Sequence, residues 1–368
     1  MNRKERFLKA INHEEPDRVP YDTRFTPEAR IKLIEHFELT KKYGDSIRTI
    51  STNGAEVDYL AVEMGHDFLL THLGPITGYY QGDGSGTYAD EFGIVRRWVR
   101  TPDGAAFTEI VDPPLKTLED VKAYALPDFE DERRYDTARQ VIKEFGRDFG
   151  IMAGIPCTLF ELAWYLRGMQ RFLMDWASEK EFVHDYLNKL KRWVLVAGNI
   201  FAELGVDVIW IGDDVGDQQH MLVSPESWRE YIKPIYTELF ASWKRVSPNV
   251  KVAFHSDGYI EPIIPDLIEI GVDILNPIQP TCTDPEFVKE KYGDRLTLWG
   301  TVDNQHVMPL GTPDDVEQEV KLRIRQCAAG GGFLISPTHR IQPQTSVENI
   351  VRFYETVKEC GTYPIERY

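Results

Sequence analysis

The sequence lacks the features that mark membrane-bound, secreted or disulfide-rich proteins. No apolar run approaches the roughly 20 residues that a membrane-spanning helix needs. The start, Met1-Asn-Arg-Lys-Glu-Arg, has no apolar segment of the kind found in signal peptides. The four cysteines are scattered, without a C-x-x-C pair, so free thiols are expected. These absences predict a cytoplasmic protein without a membrane anchor.

Positive charge is also in short supply. The chain has 42 Lys and Arg against 59 Asp and Glu, which gives a net charge of −17 at pH 7. A surface with this charge repels nucleic acid and anionic lipid over most of its area. We therefore expect neither nucleic acid nor a membrane as a partner. The acidic surface serves either solubility or the docking of a basic partner.

What the chain does have is a repeated pattern of short apolar runs that end in polar residues and alternate with helical stretches. The clearest runs lie at residues 207–214, 252–258, 273–280, 296–303 and 332–339. This alternation is typical of βα units. About eight strands can be counted from Val19 onwards, and 368 residues suit one large core. We predict a single domain over residues 1–368, built as an α/β (β/α)₈ TIM barrel.

Two additions to the barrel are predicted. Phe7, Ala10 and Ile11 recur at helical spacing, which predicts an amphipathic N-terminal helix that ends before Pro16. Residues 78–114 are rich in glycine, aromatic and β-branched residues, and Asp-Gly at 103–104 separates two strand-like runs. We predict a β-hairpin insertion over one mouth of the barrel, where it forms a lid or a surface for a partner.

Polar residues cluster where the predicted strands end. In a (β/α)₈ barrel the carboxyl ends of the strands converge, so residues far apart in sequence become neighbours. The residues in question are Asp213, Asp214, Gln218, His255, Asp257, Asn276, Gln279, Asp303 and His339. Singly, each has a structural alternative, since Asp213 or Asp214 can cap a helix and Asp257 can brace the turn at Gly258. Together they predict a functional site, because burying so many polar groups without a ligand is costly.

Two further residues belong to a predicted helix that starts at the same edge. Glu161 and Trp164 either line the cleft or pack in the fold, with Glu161 favouring the positive end of the helix dipole.

The histidines suggest a metal. Two imidazoles and one carboxylate suit zinc and leave a fourth position for water or substrate. His255, His339 and either Asp257 or Asp213 meet this ligand count. No H-E-x-x-H or comparable motif supports the assignment. Other candidate histidines are His72, His220 and His306.

Several stretches resemble a known superfamily nearly end to end. They are residues 2–11, Pro16-Asp-Arg-Val-Pro20, His255-Ser-Asp-Gly258, residues 271–280, and Gly330-Gly-Gly-Phe with the later His339. Together they resemble the uroporphyrinogen decarboxylase-like superfamily. The resemblance implies a (β/α)₈ barrel and one of two chemistries.

The first chemistry is decarboxylation. Uroporphyrinogen decarboxylases need no cofactor and hold an acidic tetrapyrrole with N-terminal arginines, typically in a Gln-Ala-Gly-Arg motif. The corresponding residues 21–25 lack that motif, and only Arg24 can stand in for it. Beyond Arg24, Arg167 and Arg340, few cations are available for a substrate with many carboxylates. This departure favours the second chemistry.

The second chemistry is that of the cobamide-dependent methyltransferases, which move a methyl group between a small molecule and a corrinoid on a separate protein. The resemblance implies zinc held by a His-x-Cys pair and a later Cys in their thiol-activating members. Here His255 matches the histidine, whereas Asp257 and His339 stand in place of the two cysteines. Harder ligands imply a different donor, such as a methyl ether or an amine.

The sequence thus predicts a metal-assisted methyltransferase that passes a methyl group from a small donor to a corrinoid protein, with zinc as the metal. The predicted metal ligands are His255, Asp257 and His339. The predicted catalytic residues, which protonate the leaving atom or orient the ion, are Asp213, Asp214 and Asp303. The predicted substrate-binding residues are Gln218, Asn276, Gln279, Trp164 and Arg24.

Two alternatives remain at this stage. One is a cofactor-free decarboxylase of the uroporphyrinogen decarboxylase type. The other is a non-catalytic subunit of a methyl-transfer complex. Both a monomer and a homodimer are compatible with the resemblance.

Overall fold

A curled parallel sheet of seven strands lies at the centre of the protein. The computed structural model describes residues 1–48, 58–74, 85–101 and 106–365. These residues form ten strands: β1 (Phe68–His72), β2 (Thr87–Ala89), β3 (Val95–Arg100), β4 (Ala106–Asp112), β5 (Gly150–Ile155), β6 (Val208–Gly212), β7 (Lys251–His255), β8 (Ile274–Asn276), β9 (Thr297–Val302) and β10 (Phe333–Pro337). In the central sheet the order is β1-β5-β6-β7-β8-β9-β10, and neighbouring strands are parallel. Their carboxyl ends therefore meet at one edge.

An extended segment, residues 19–22, lies between β10 and β1 and completes the ring. The carbonyl of Pro20 accepts the N–H of Ile335 at 3.0 Å, and the carbonyl of Tyr21 accepts the N–H of Asp67 at 3.2 Å. Because Pro20 has no N–H, the segment forms a single parallel bridge at Tyr21 rather than a full ladder. The TIM-barrel-like architecture predicted from the sequence is confirmed, with this irregular segment in the eighth position.

Sixteen α-helices occur in the described part of the chain. They are α1 (Arg3–Ile11), α2 (Pro27–His36), α3 (Thr40–Tyr43), α4 (Tyr59–Met64), α5 (Leu118–Ala123), α6 (Asp136–Phe145), α7 (Phe160–Arg167), α8 (Met169–Ser178), α9 (Lys180–Leu204), α10 (Pro225–Tyr231), α11 (Lys233–Val246), α12 (Ile264–Glu269), α13 (Pro285–Tyr292), α14 (Val307–Leu310), α15 (Pro313–Cys327) and α16 (Val347–Cys360). Short 3₁₀ helices span Asp45–Arg48, Glu132–Tyr135 and Glu261–Ile263. Among these residues, no helix combines the length and apolar character required to cross a bilayer.

The helices follow the predicted alternation with the strands. Helices α10 and α11 are separated at Ile232. Pro234 explains the break, because its ring nitrogen cannot donate a hydrogen bond to the preceding turn. Helices α3, α4, α8 and α14 were not predicted.

Helix α1 closes the amino-terminal end of the barrel. Its predicted apolar face is buried, since Phe7, Ala10 and Ile11 are at most 1% exposed. The ring of Phe7 lies 4.8 Å from that of Phe68. A Cβ at Gly150 would lie 2.2 Å from the Phe7 ring, so the close approach requires glycine. The inner cluster comprises Phe7, Ala10, Ile11, Phe68, Met152, Val208, Trp210, Ala253, Ile274, Trp299 and Leu334.

The predicted insertion is a three-stranded antiparallel sheet in the order β2-β3-β4. Strands β3 and β4 pair along their length, as the hairpin prediction requires. The predicted turn at 103–104 and the start of the insertion at 78–84 lie outside the described residues. Strand β2 was not predicted. The guanidinium of Arg96 in β3 lies 5.2 Å from the ring centre of Tyr165, so the insertion packs against α7.

Candidate metal centre and active site

Three potential metal ligands meet at the carboxyl edge of the sheet. His255 is the last residue of β7, Asp257 follows in the next turn, and His339 lies just beyond β10. One donor atom from each residue lies within 4.8 Å of the other two. Asp257 Oδ1 is 4.0 Å from His255 Nε2, and Asp257 Oδ2 is 3.9 Å from His339 Nε2. The carboxylate therefore faces both imidazoles, one with each oxygen.

The protein contacts of this cluster fit a bound cation. Oδ1 of Asp257 is buried and has no hydrogen-bond partner among the described residues. Burial raises the pKa of Asp257 to about 6. His339 lies at the barrel mouth with 44% of its side chain exposed. Burial of the rest of the ring, together with the positive charge of Arg24, lowers the pKa of His339 well below its ordinary value. A neutral imidazole is the metal-binding form, and a cation would partner the bare carboxylate oxygen.

Asp214 borders the cluster on the side of β6. Its Oδ1 accepts the main-chain N–H of Asp257 at 2.8 Å and lies 3.7 Å from Nε2 of His255. With 36% of its side chain exposed, Asp214 is also open to the barrel mouth. A carboxyl group in this position can exchange a proton with a ligand bound at the cluster.

Glu161, in the first turn of α7, is a buried acid behind Asp214. Its Oε2 accepts the main-chain N–H of Asp214 at 3.1 Å, and its Oε1 accepts the hydroxyl of Tyr165 at 2.7 Å. Burial raises the pKa of Glu161 well above its ordinary value, and the charges of Asp214 and Asp213 add to the effect. The low-dielectric surroundings therefore disfavour the ionised form of Glu161. The sequence indicated this residue by its place on a predicted helix that starts at the edge where the strands end.

Asp213 binds the start of α7. It is fully buried, and its oxygens accept the main-chain N–H groups of Leu159, Phe160 and Glu161 and the hydroxyl of Tyr236. Burial raises its pKa to about 6. These four hydrogen bonds place the carboxylate as a cap of α7.

The turn after β7 is held by a glycine and a glutamine. Gly258 has a φ of +82°, and a Cβ there would lie 2.4 Å from the carbonyl oxygen of Asp217, so only glycine fits. The N–H of Gly258 donates to Oε1 of Gln279, which is nearly buried. Gln279 thereby fixes the turn that carries Asp257.

Asn276 supports His255 from the neighbouring strand β8. Its side chain is fully buried. Its Oδ1 lies 2.7 Å from Nδ1 of His255, and its Nδ2 donates to the carbonyl of Trp299 at 3.0 Å. Both polar ends of the amide are therefore engaged by protein atoms.

Arg24 packs over two tryptophans of the inner cluster. Its guanidinium carbon lies 4.9 Å from the ring centre of Trp210 and 5.4 Å from that of Trp299. One of its terminal nitrogens, Nη2, is buried and has no hydrogen-bond partner in the described part of the chain. Burial lowers the pKa of Arg24 to about 10, so the group stays positive at neutral pH. A positively charged hydrogen-bond donor of this kind suits an anionic group on a ligand.

Comparison with protein families identifies the family of the chain. Residues 98–360 match the family model for uroporphyrinogen decarboxylase (URO-D). The chain belongs to the URO-D family. The family expected from the sequence motifs is thereby confirmed.

The relatives of this chain include proteins named as methyltransferases and proteins named as decarboxylases. A methylated-thiol–coenzyme M methyltransferase from Methanosarcina mazei is 24% identical over 265 residues, which cover 70% of this chain and 66% of that protein. A uroporphyrinogen decarboxylase from Hydrogenovibrio crunogenus is 23% identical, and the match covers 97% of both chains. The solved structure of a methyltransferase from Methanosarcina mazei has a TM-score of 0.71 at 20% identity, covering 98% of this chain and 99% of that chain. The structural match supports the same fold.

Three further residues that were predicted for the candidate site have other contacts. Asp303 accepts two main-chain N–H groups of its own loop and lies 3.2 Å from Nδ1 of His306. Trp164 packs edge-on against Tyr165, with ring centres 4.1 Å apart. Gln218 is exposed and accepts the thiol of a neighbouring cysteine at 3.4 Å. Their roles in catalysis and substrate binding stay predictions.

Proposed function

We propose that this protein is a metal-dependent methyltransferase that passes a methyl group from a small methylated donor to a corrinoid carried by a partner protein. The observation that carries the proposal is the cluster of His255, Asp257 and His339 with its unpartnered carboxylate oxygen. The methylated-thiol methyltransferase from Methanosarcina mazei, a relative by sequence, supports the class of reaction.

His255, Asp257 and His339 are the proposed ligands of a zinc ion. Catalytic zinc sites use three protein ligands and keep one position open. When bound, the ion supplies a Lewis acid that polarises the donor atom bearing the methyl group. A ligand set of two imidazoles and a carboxylate is harder than one with thiolates, and therefore favours an oxygen or nitrogen donor.

Asp214 is the proposed proton donor. In the transfer, the bond between the methyl carbon and the donor atom would break while the methyl carbon bonds to the low-valent cobalt of the partner's corrinoid, which supplies the electron pair. The donor atom keeps the electrons of the broken bond and takes up a proton. Among the predicted catalytic carboxylates, Asp214 is the one whose side chain contacts the cluster in the described residues. Asp213 holds the start of α7 and so keeps Glu161 against the main chain of Asp214.

Arg24 points to a methyl donor that carries an anionic group. Its buried, unpartnered Nη2 offers a charged hydrogen bond, and the pKa of Asp257 and that of His339 both respond to the Arg24 charge. The Arg24 guanidinium group therefore lies close to the proposed metal ligands. A methyl ether of a small carboxylic acid matches this combination.

The test combines metal analysis with an activity screen. We expect near-stoichiometric zinc in the purified protein, and its loss in His255→Ala and His339→Ala. His306→Ala is the matched control, because His306 is exposed and binds Asp303 of its own loop. Methyl ethers and amines would then be screened with a corrinoid protein. Full metal content and full methyl transfer in His255→Ala would overturn the proposal.

A cofactor-free decarboxylase is the second candidate. It is favoured by the Hydrogenovibrio crunogenus relative, whose match spans almost the whole of both chains. Turnover of an acidic substrate with release of carbon dioxide, in the presence of a strong chelator and without a corrinoid protein, would establish this function instead.

A further inference from the structure

We propose that Asn276 is a positioning residue that holds His255 in a single tautomer, with the proton on Nδ1 and a bare Nε2 facing the cluster. Its importance for metal binding rests on the proposed function, but the tautomer itself does not. This role replaces the substrate contact predicted for Asn276 from the sequence.

Strand pairing brings the two residues together. In the parallel pair of β7 and β8, His255 and Asn276 are register partners at the ends of their strands. The next strand, β9, contributes the main-chain carbonyl of Trp299 on the far side of Asn276. Three adjacent strands therefore form one line of contacts, from Trp299 through Asn276 to the imidazole.

The orientation of the Asn276 amide follows from its partners. A carbonyl oxygen can only accept, so the Asn276 atom 3.0 Å from the Trp299 carbonyl must be the NH₂ group. The amide oxygen then faces Nδ1 of His255 at 2.7 Å. If the Asn276 amide were flipped, its oxygen would face the carbonyl oxygen of Trp299, and neither oxygen can donate a hydrogen bond. Since the amide oxygen also only accepts, Nδ1 must carry the proton.

A proton on Nδ1 leaves a lone pair on Nε2 of the neutral ring. Nε2 lies 3.7 Å from Oδ1 of Asp214 and 4.0 Å from Oδ1 of Asp257. When ionised, both carboxylates are acceptors, so three electron-rich groups face one another. A metal ion at Nε2 resolves this arrangement, and metal-binding histidines commonly donate their other N–H to a fixed acceptor.

Asparagine is well suited to this position. An aspartate would still accept from Nδ1 but would set its second oxygen against the Trp299 carbonyl. A leucine has a similar size but can neither donate nor accept. The pair of variants therefore separates the contact to His255 from the contact to Trp299.

The direct test is the tautomer of His255 in metal-free protein. Nitrogen-15-labelled histidine and long-range proton–nitrogen spectra distinguish the two forms at mildly alkaline pH, where imidazoles are neutral. The His255 signal is assigned by its loss in His255→Gln. We expect the Nδ1–H form in the native protein and in Asn276→Asp, and a mixture of forms in Asn276→Leu. A predominantly Nε2–H ring in the native protein would overturn the proposal.

The second readout is zinc affinity, measured by competition with a chelating dye. We expect a loss of roughly 10- to 100-fold in Asn276→Leu, the usual effect of removing the partner behind a metal ligand. Asn349→Leu is the matched control, because Asn349 is equally buried but bonds the carbonyls of Met308 and Gly311. An equal loss in both variants would assign the effect to general stability and reject the positioning role. Failure of the native protein to bind zinc would refute the proposed function, whereas the tautomer result would still decide the role of Asn276.

Discussion

The main-chain N–H of Asp257 donates a hydrogen bond of 2.8 Å to Oδ1 of Asp214. This contact joins the end of β6 to the turn after β7, so the exposed carboxyl group and the proposed metal ligand are held side by side. The same Asp214 uses its own N–H to bind the buried acid Glu161. A line of contacts thus runs from the solvent-exposed mouth to the core behind the cluster.

The carboxylate of the cluster is the first target for mutation. Asp257→Asn keeps the size of the side chain but removes the charge that partners a cation. We expect zinc affinity to fall by more than the roughly 10- to 100-fold typical of losing a residue behind a ligand. The measurement is competition with a chelating dye. Asp294→Asn, at an exposed position, is the control, and unchanged affinity in Asp257→Asn would remove this residue from the ligand set.

Glycine 258 allows a test of the turn geometry. Gly258→Ala places a Cβ 2.4 Å from a backbone oxygen at a φ of +82°. Gly205→Ala is a matched control, since Gly205 has a φ of +78° with nothing within 4 Å. We expect the control to lose about 1–2 kcal/mol, the cost of left-handed backbone for an L-residue. Urea unfolding should show a larger loss for Gly258→Ala, together with weaker zinc binding. Equal losses would mean that the turn can shift freely.

Arg24→Gln tests the proposed anionic group of the donor. Losing a hydrogen bond to a charged partner costs about 1.5–3 kcal/mol, which predicts a KM roughly 10- to 100-fold higher for a donor with a carboxylate. The kcat and the KM of neutral donors should change little. Arg171→Gln, on the exposed face of α8, is the control. A uniform rise in KM for charged and neutral donors would argue against an anion site.

Asp213 makes the stability of the protein depend on pH. Burial raises its pKa from 3.8 to about 6, so the folded protein binds the proton more tightly than the unfolded chain. The contribution to stability is fully present below about pH 4 and is lost as the pH rises through about 6. Relative to Asp213→Asn, the free energy of unfolding of the native protein should fall by about 3 kcal/mol over this range. Urea unfolding of both proteins across the range provides the measurement, and parallel curves would contradict the shift.

The raised pKa of Glu161 means that burial and the charges of Asp214 and Asp213 oppose its ionised form in the folded protein. Glu161→Gln replaces this carboxyl group with a neutral side chain of the same shape, so we expect the free energy of unfolding near neutral pH to be unchanged or higher. Glu161→Ala leaves a cavity and unpaired groups at Tyr165 and Asp214, and should lose about 1–3 kcal/mol. A loss in Glu161→Gln as large as that in Glu161→Ala would show that the acid is ionised in the folded protein.

The choice of the cluster's carboxylate shows where sequence reasoning stops. Both Asp257 and Asp213 stand at strand ends, and the sequence left either one as the third ligand. In the structure, Asp213 accepts four hydrogen bonds at the start of α7, whereas Asp257 faces both histidines. The N-terminus of α7 lies about fifty residues earlier in the chain, so no local sequence pattern around Asp213 could predict this contact.

The sequence by itself determined the barrel-like fold and the edge of the sheet at which the candidate site lies. Apolar runs of strand length, alternating with helical stretches, can bury their side chains only as βα units, and their polar ends then converge. Tertiary structure alone decided the direction and partners of each polar group, such as the amide of Asn276 between Trp299 and His255. The physical reason is that a hydrogen-bond partner is chosen by distance in space, and strands packed side by side bring together residues that the sequence keeps apart.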